Sequence, residues 1–452
     1  MSEARIVQMA DGRNKEVIYT FLYLGGAFTF AGKTFPASPN AQSFAIAALD
    51  ENNKLLWSQD VAGKGNQGAK TTDIYVAPNG DIFVFGQFTS EITLGTQTLK
   101  PTDSSAQPYD SLGFIAKLNA QGQWQGAQIL EISRLPSMES PTVQLHSIAR
   151  ASNGDLYLSG SYQGKLRFLT SSIDNLDRQA FVLRINSQLQ SPLFVRTVSG
   201  TTPSTVAYTS LVIDENDKTY LFGQANGEVV FGTHKLTPSG TKGPSGFLVR
   251  FDLQVADPWV AAPYALPPWS FSNNHANVAT GATGGGVVWV GSYTKSFRIG
   301  NISRPDPPRA TAYIASMDAN GTMRWLKEST GPSDTESTFV RRSPTKELQW
   351  VVQANDVIQF GKSTHPYPYE GGDAPHHVAF FLNDNGDLQT SKTLWIGGLL
   401  LSGLQIGIRS VLLRSESALI GGSIQGSGLT LYGKTYQPVG IEDVFLFRSF
   451  YR

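Results

Sequence analysis

The sequence predicts an all-β protein, a seven-bladed β-propeller of four-stranded antiparallel blades in one domain spanning residues 1–452. Three observations carry that expectation. Short apolar stretches with a two-residue alternation are punctuated by Asn-Gly and Gly-Gly turns. Three motifs recur in fixed order about every 66 residues. The spacing between them leaves no room for a helix of ordinary length. Forty-five glycines, 25 phenylalanines and 16 tyrosines, with only 16% charged residues, fit many short strands joined by turns.

The first motif is a hairpin leading into an apolar strand that ends near a glycine: APNGDIFVFGQF (77–88), ASNGDLYLSGSY (151–162), DENDKTYLFGQA (214–225) and TGGGVVWVGSY (283–293). It predicts strands a and b of each unit. The second is a small or apolar residue with glycine at the start of the b–c connection, at Gly32, Gly95, Gly232, Gly300, Gly361 and Gly433. The third is strand c, ending at Asp50, Asn119, Asn186, Asp252, Asp318 and Asn383, which are spaced 69, 67, 66, 66 and 65 residues apart. A short turn follows (NAQG 119–122, DANG 318–321, NDNG 383–386). Then comes strand d, often carrying Trp57, Trp124 or Trp325. Four antiparallel strands repeated radially leave only short, protected edges, which is the propeller solution.

Seven units fit the chain. Unit 6 lacks the strand-b glycine in VVQAND, and unit 7 lacks strand d. The opening ARIVQMA (4–10) is read as strand a of unit 1, because Asp11-Gly12 stands where other units have Asn-Gly. The alternative makes it the missing strand d of unit 7.

The unit resembles the bacterial β-propeller repeat family of the SBBP type, through NGDIFVFGQF, FGTHKLTPSG, GFIAKLN and the Gly-x-Trp of QGQW. That family is defined by its repeat. The resemblance therefore implies the fold and no catalytic residue.

Composition excludes several classes. Lys plus Arg balances Asp plus Glu at 36 each, so no overall field points to nucleic acid or an anionic membrane. The absence of cysteine removes disulfides and thiolate sites. The start, MSEARIVQMADGRNK, has charges where a Sec signal needs an apolar core, and LWIGGLLLSGLQIGI (394–408) is too short and interrupted to span a bilayer. A soluble chain with no membrane insertion is expected, cytoplasmic or exported by a non-Sec route.

The long connections, b–c and d–a, gather at one end of the blades, where binding residues are expected. Candidate ligand-binding aromatics are Tyr109, Trp259, Tyr264, Trp269, Tyr367 and Tyr369. HPYPYEGGDAPHH (365–377) supplies His365, His376 and His377 as metal candidates, although their spacing matches no ligand motif. GKST (361–364) lacks the glycine a P-loop needs at Asp356, and AGKT (31–34) and YGKT (432–435) repeat it, so it reads as a turn. The acidic runs at 214–218 and 383–387 also read as turns. Lys117, Arg184, Arg250 and Arg448 recur in strand c and are expected to be solvated or salt-bridged between blades. No nucleophile–base motif appears, and no cofactor is expected.

The expected function is a non-catalytic binding or scaffold module engaging a protein or glycan partner through its long-loop face. One alternative is a polysaccharide hydrolase or lyase with its site in the central funnel. Another is a structural component of a secreted or phage-like particle.

Overall fold

The computed structural model describes residues 3–13, 16–102, 110–136, 138, 141–190, 192–200, 205–231, 234–236, 245–251, 264–266, 278–280, 284–343, 346–366, 376–394, 405–413, 417–425, 429–431, 434–436 and 443–450. Among the described residues every regular element is a strand, and no helix is long and apolar enough to cross a membrane.

The repeats fold as antiparallel sheets whose order follows the chain. Strands a to d of unit 1 are Glu3–Asp11, Val17–Gly25, Ser38–Leu49 and Leu55–Val61. Unit 2 uses Lys64–Val76, Ile82–Thr89, Leu112–Leu118 and Trp124–Ser133. Unit 3 uses Thr142–Arg150, Leu156–Phe168, Ser171–Ile185 and Pro192–Gly200. In unit 4 the strands are Thr205–Ile213, Thr219–Asn226, Ser245–Phe251 and Tyr264–Leu266. Unit 5 follows with Val278–Thr280, Val287–Tyr293, Thr311–Met317 and Met323–Thr330. Unit 6 has Thr335–Arg342, Leu348–Ala354, His376–Leu382 and Leu388–Leu394. In unit 7, Gln405–Leu413, Ser417–Gln425 and Asp443–Phe450 form a three-stranded sheet.

The segment ARIVQMA is strand a of unit 1, paired with Val17–Gly25 across Asp11-Gly12. Strand a of each unit packs against strand a of the next from unit 1 to unit 6, and strand a of unit 7 packs against that of unit 1. The a strands thus line a common axis with the sheets radiating from it, a β-propeller. Strands b and c lie between neighbouring blades and are covered on both faces. Ile82–Thr89, Val287–Tyr293 and His376–Leu382 are buried along their whole length, which is why they read as apolar runs rather than clean alternations.

Two ties join the blades, and both explain motifs in the repeat. Tryptophan in strand d reaches the c–d turn of the next unit: Trp57 Nε1 donates to the Ala120 carbonyl at 3.1 Å, and Trp325 Nε1 to the Asp384 carbonyl at 2.9 Å. The ring lies over the turn glycine. Gly122 has φ +75° and Gly386 φ +72°, and a Cβ on either would press into the Trp57 or Trp325 ring. Glycine is needed there for conformation and for space.

The second tie corrects the expectation of plain b–c loops. Each of these connections except that of unit 3 carries a small hairpin, for example Phe28–Phe30 with Lys33–Phe35, Ile92–Leu94 with Gln97–Leu99, and Ile358–Phe360 with Ser363–His365. In unit 3 strands b and c themselves extend to do the same. These clips reach the outer strand of the preceding blade. The extension of unit 3 pairs with strand d of unit 2, Val229–Phe231 with strand d of unit 3, and Ile358–Phe360 with strand d of unit 5. The clip covers an edge that would otherwise invite pairing with another chain. GKST is one of these turns, with Gly361 at φ +60° in the first central position, where a type II′ hairpin takes glycine.

Candidate functional site

The a strands share a further feature. A register shift, the mark of a β-bulge, falls at the same place in unit after unit: between Ile6 and Gln8, Thr71 and Asp73, Leu145 and Ser147, Ala207 and Thr209, Ser337 and Phe339, and Ile408 and Ser410. A bulge adds one residue, tightens the local twist and re-aims side chains. Here it builds a ring of irregular backbone around the axis.

Residues just past the bulge bond sideways to the neighbouring a strand. Gln8 Nε2 donates to Asp73 Oδ1 at 3.0 Å, linking units 1 and 2. Ser147 Oγ accepts from the Leu211 amide at 3.2 Å, linking units 3 and 4. Asp73 stands apart chemically. It is enclosed by protein yet keeps partial solvent access, and its carboxylate accepts from Gln8 and from the Ile74 amide at 2.8 Å. Two neutral donors do not offset the loss of hydration, so burial pushes its carboxyl up to about 6. An aspartate that exchanges its proton near neutral pH, on the axis of a ring fold, has the property an acid–base catalyst needs. Glu336, in strand a of unit 6, is also raised, by burial and then by the charge of Asp334. His146 occupies the bulge position of unit 3 and is buried.

Other acidic groups are structural. Tyr23 donates to Asp60 and Tyr293 to Glu328, each joining strands b and d of one blade, and Arg304 Nε pairs with Glu328 at 2.9 Å. Glu131 is buried between Arg167 and Thr102, whose amide donates to it at 2.7 Å.

Two of the basic residues of strand c, Lys117 and Arg184, are bridged, and within a blade rather than between blades. Lys117 Nζ lies 2.8 Å from Asp81 Oδ2, and Arg184 Nε 2.9 Å from Asp155 Oδ2, both aspartates belonging to the a–b hairpin of the same unit. Arg250 differs and donates to the Ala319 carbonyl of the next unit. The side chain of Arg448 lies outside the described residues. The acidic runs are turns. Asp214 accepts from the Asn216 and Lys218 amides, and Asn383 from the Asn385 and Asp387 amides.

The metal candidates do not converge. His376 and His377 are successive residues of strand c, so they face opposite sides of the sheet. His376 Nδ1 is 3.0 Å from the Ala354 carbonyl, and the His365 ring packs edge-on to Phe380 at 5.6 Å on that same face. Burial lowers all three, His377 to about 3. Among the described residues no three metal-ligating side chains gather. Tyr109, Trp259, Trp269, Tyr367 and Tyr369 lie outside the described residues. Tyr264 begins strand d of unit 4, its side chain likewise outside.

Sequence reasoning missed Asp73, Gln8 and Glu336. The only signal was a carboxylate inside the strand-forming segment TTDIYV, one repeat away from Gln8.

No family model matches the chain, and no curated protein matches it. Solved structures of similar fold include the GH93 α-L-arabinofuranosidase of Fusarium graminearum in complex with arabinobiose, at 13% identity and a TM-score of 0.43, covering 77% of this chain and 88% of that one. An α-L-arabinanase of Penicillium chrysogenum complexed with arabinobiose is similar at 14% identity and 0.42, with the same coverages. A PL25 ulvan lyase bound to -[GlcA(1-4)Rha3S]- is similar at 9% identity and 0.43, covering 79% and 78%. The expectation of a non-catalytic binding module is corrected on this finding, since these three structures are carbohydrate-active enzymes.

Proposed function

We propose that this chain is a polysaccharide hydrolase or lyase that works at the axis of a single seven-bladed propeller of the SBBP repeat type. The observation that carries the reading is Asp73, a carboxyl raised to about 6 at the bulge of an axial strand, held by Gln8 and paired with no Lys or Arg among the described residues. Glycosidic cleavage needs a proton delivered to the leaving oxygen, and elimination from a uronic acid needs a base for the proton beside its carboxylate. A group poised near neutrality serves either step. Gln8 fixes the orientation of the carboxyl without ionising, and the bulge re-aims it relative to a regular strand. Glu336 is the second candidate carboxyl of the axial strands.

The test is incubation of the purified chain with a panel of neutral and uronic-acid polysaccharides, arabinans and ulvan among them. New reducing ends alone identify a hydrolase. Reducing ends with the ultraviolet absorbance of an unsaturated uronate identify a lyase. No product from any member of the panel contradicts the proposal.

A further inference from the structure

One position of the bulge ring changes character from blade to blade. Gln8 of unit 1, Asp73 of unit 2, Ser147 of unit 3 and Phe339 of unit 6 are each the first paired residue after the bulge, opposite Thr20, Phe85, Ser159 and Val351 of strand b. Unit 6 stands nearly opposite unit 2 in the proposed ring of seven, so Phe339 lies at the level of Asp73 on the far side of the axis. Its ring is only half-buried, and among the described residues it joins none of the hydrophobic clusters, whereas Val340 beside it is 2% exposed. Glu336 pairs with Gln353 and Phe339 with Val351, alternate residues of strand b, so the carboxyl and the ring project from one face of strand a. Toward the a–b hairpins the axis is bridged. Arg341 Nη2 of unit 6 lies 4.0 Å from Asp11 Oδ2 of unit 1, although unit 7 comes between those blades in chain order. Glu336 and Phe339 thus stand over an ion pair, on the side where strand a begins.

We propose that Phe339 is the platform for one neutral sugar ring of the polysaccharide, whose C–H face lies on the phenyl ring, whose hydroxyls turn to Glu336, and whose chain is presented to Asp73 across the axis. The inference deepens the catalytic reading and rests on it for the nature of the ligand. The C–H face of a sugar is apolar and weakly positive, and the face of an aromatic ring carries negative potential, so the two attract and both lose apolar surface to water. A carboxyl alongside accepts hydrogen bonds from the ring's hydroxyls and fixes its rotation on the platform. It also sets the class of sugar. Asp334 already acts on Glu336 as a like charge, so a uronate carboxylate at this place would add a further repulsion that a neutral ring avoids.

The test is affinity electrophoresis of the whole chain in native gels cast with each polysaccharide of the panel, which reads binding whether or not cleavage follows. A neutral polysaccharide is expected to retard the unsubstituted protein. Phe339→Tyr should keep that retardation, whereas Phe339→Leu, apolar but without a flat ring, should weaken the affinity about tenfold or more. In the unsubstituted protein, oligosaccharides cut from the retarding polysaccharide are expected to slow amide exchange across Thr335–Arg342. No retardation by any neutral member, a Leu variant that binds like the parent, equal losses in the Leu and Tyr variants, or no exchange protection would each overturn the proposal. A Leu variant that melts far below the parent yet binds as well would overturn it too, by assigning the ring to packing. Failure of the two readings is told apart in the same gels. Retardation lost in the Leu variant, with no product from any polysaccharide, keeps the platform and removes the catalytic reading; product formation with the Leu variant bound like the parent does the reverse.

Discussion

Replacing Asp73 by asparagine should make the protein more stable at alkaline pH and leave it nearly unchanged at pH 4. The carboxyl sits at about 6 in the folded chain against an ordinary 3.8, so the fold prefers its protonated form. Its contribution is fully present below about pH 3.8 and is lost as pH rises through about 6. The difference corresponds to about 3 kcal/mol, at 1.36 kcal/mol per pH unit. Asparagine keeps an oxygen to accept from Gln8 and carries no charge to desolvate. Asp73→Asn is therefore expected to gain up to about 3 kcal/mol at pH 8. With an unfolding entropy near 2.1 cal/mol/K per residue, that is a rise of about 3 °C in Tm for a chain of 452 residues. Urea or thermal unfolding of both proteins at pH 4, 6 and 8 measures it, and other titrating groups cancel in the difference. A variant equal to or less stable than the parent at pH 8, with a gap that does not change with pH, would refute the reasoning.

Two turn glycines give a matched pair. Gly122→Ala combines a left-handed φ with overlap against Trp57 and should cost about 2–4 kcal/mol, whereas Gly32→Ala, at φ +79° with nothing within 4 Å of the added methyl, should cost only about 1 kcal/mol. Equal losses in urea unfolding would mean that the Trp–turn contact is slack. His377, lowered by burial to about 3 from an ordinary 6.5, contributes stability that is present above pH 6.5 and lost as pH falls toward 3. It alone should remove about 2 kcal/mol between pH 6.5 and 5. His377→Gln should flatten that part of the profile, and an unchanged acid limb in the variant would exclude the histidine as its source.

The repeat was legible because each motif answers a local demand. Asn-Gly turns the a–b hairpin, strand c ends where Asp or Asn caps the next turn, and apolar runs mark strands buried on both faces. The clips were harder to read. Their glycine positions were visible, but a two-residue turn between three-residue strands has too little periodicity to separate it from a loop. Direction of bonding was also hidden. Lys117 and Asp81 lie 36 positions apart within one unit, and nothing in the pattern distinguishes that pair from one between units. The axial site was the least legible part. Gln8 and Asp73 meet only because bulges fall at the same place in adjacent a strands, and one extra residue in a strand leaves no mark in the alternation strong enough to find it.

The central claim is that Asp73 moves a proton in polysaccharide cleavage. It is tested most directly by the rate of product release from the best substrate of the panel, measured for the unsubstituted chain and for Asp73→Asn across pH 4 to 9. The account predicts a limb near pH 6 in the parent and a loss of at least about a hundredfold in the variant while its fold is kept. A variant that retains the parent's rate and pH profile would contradict it.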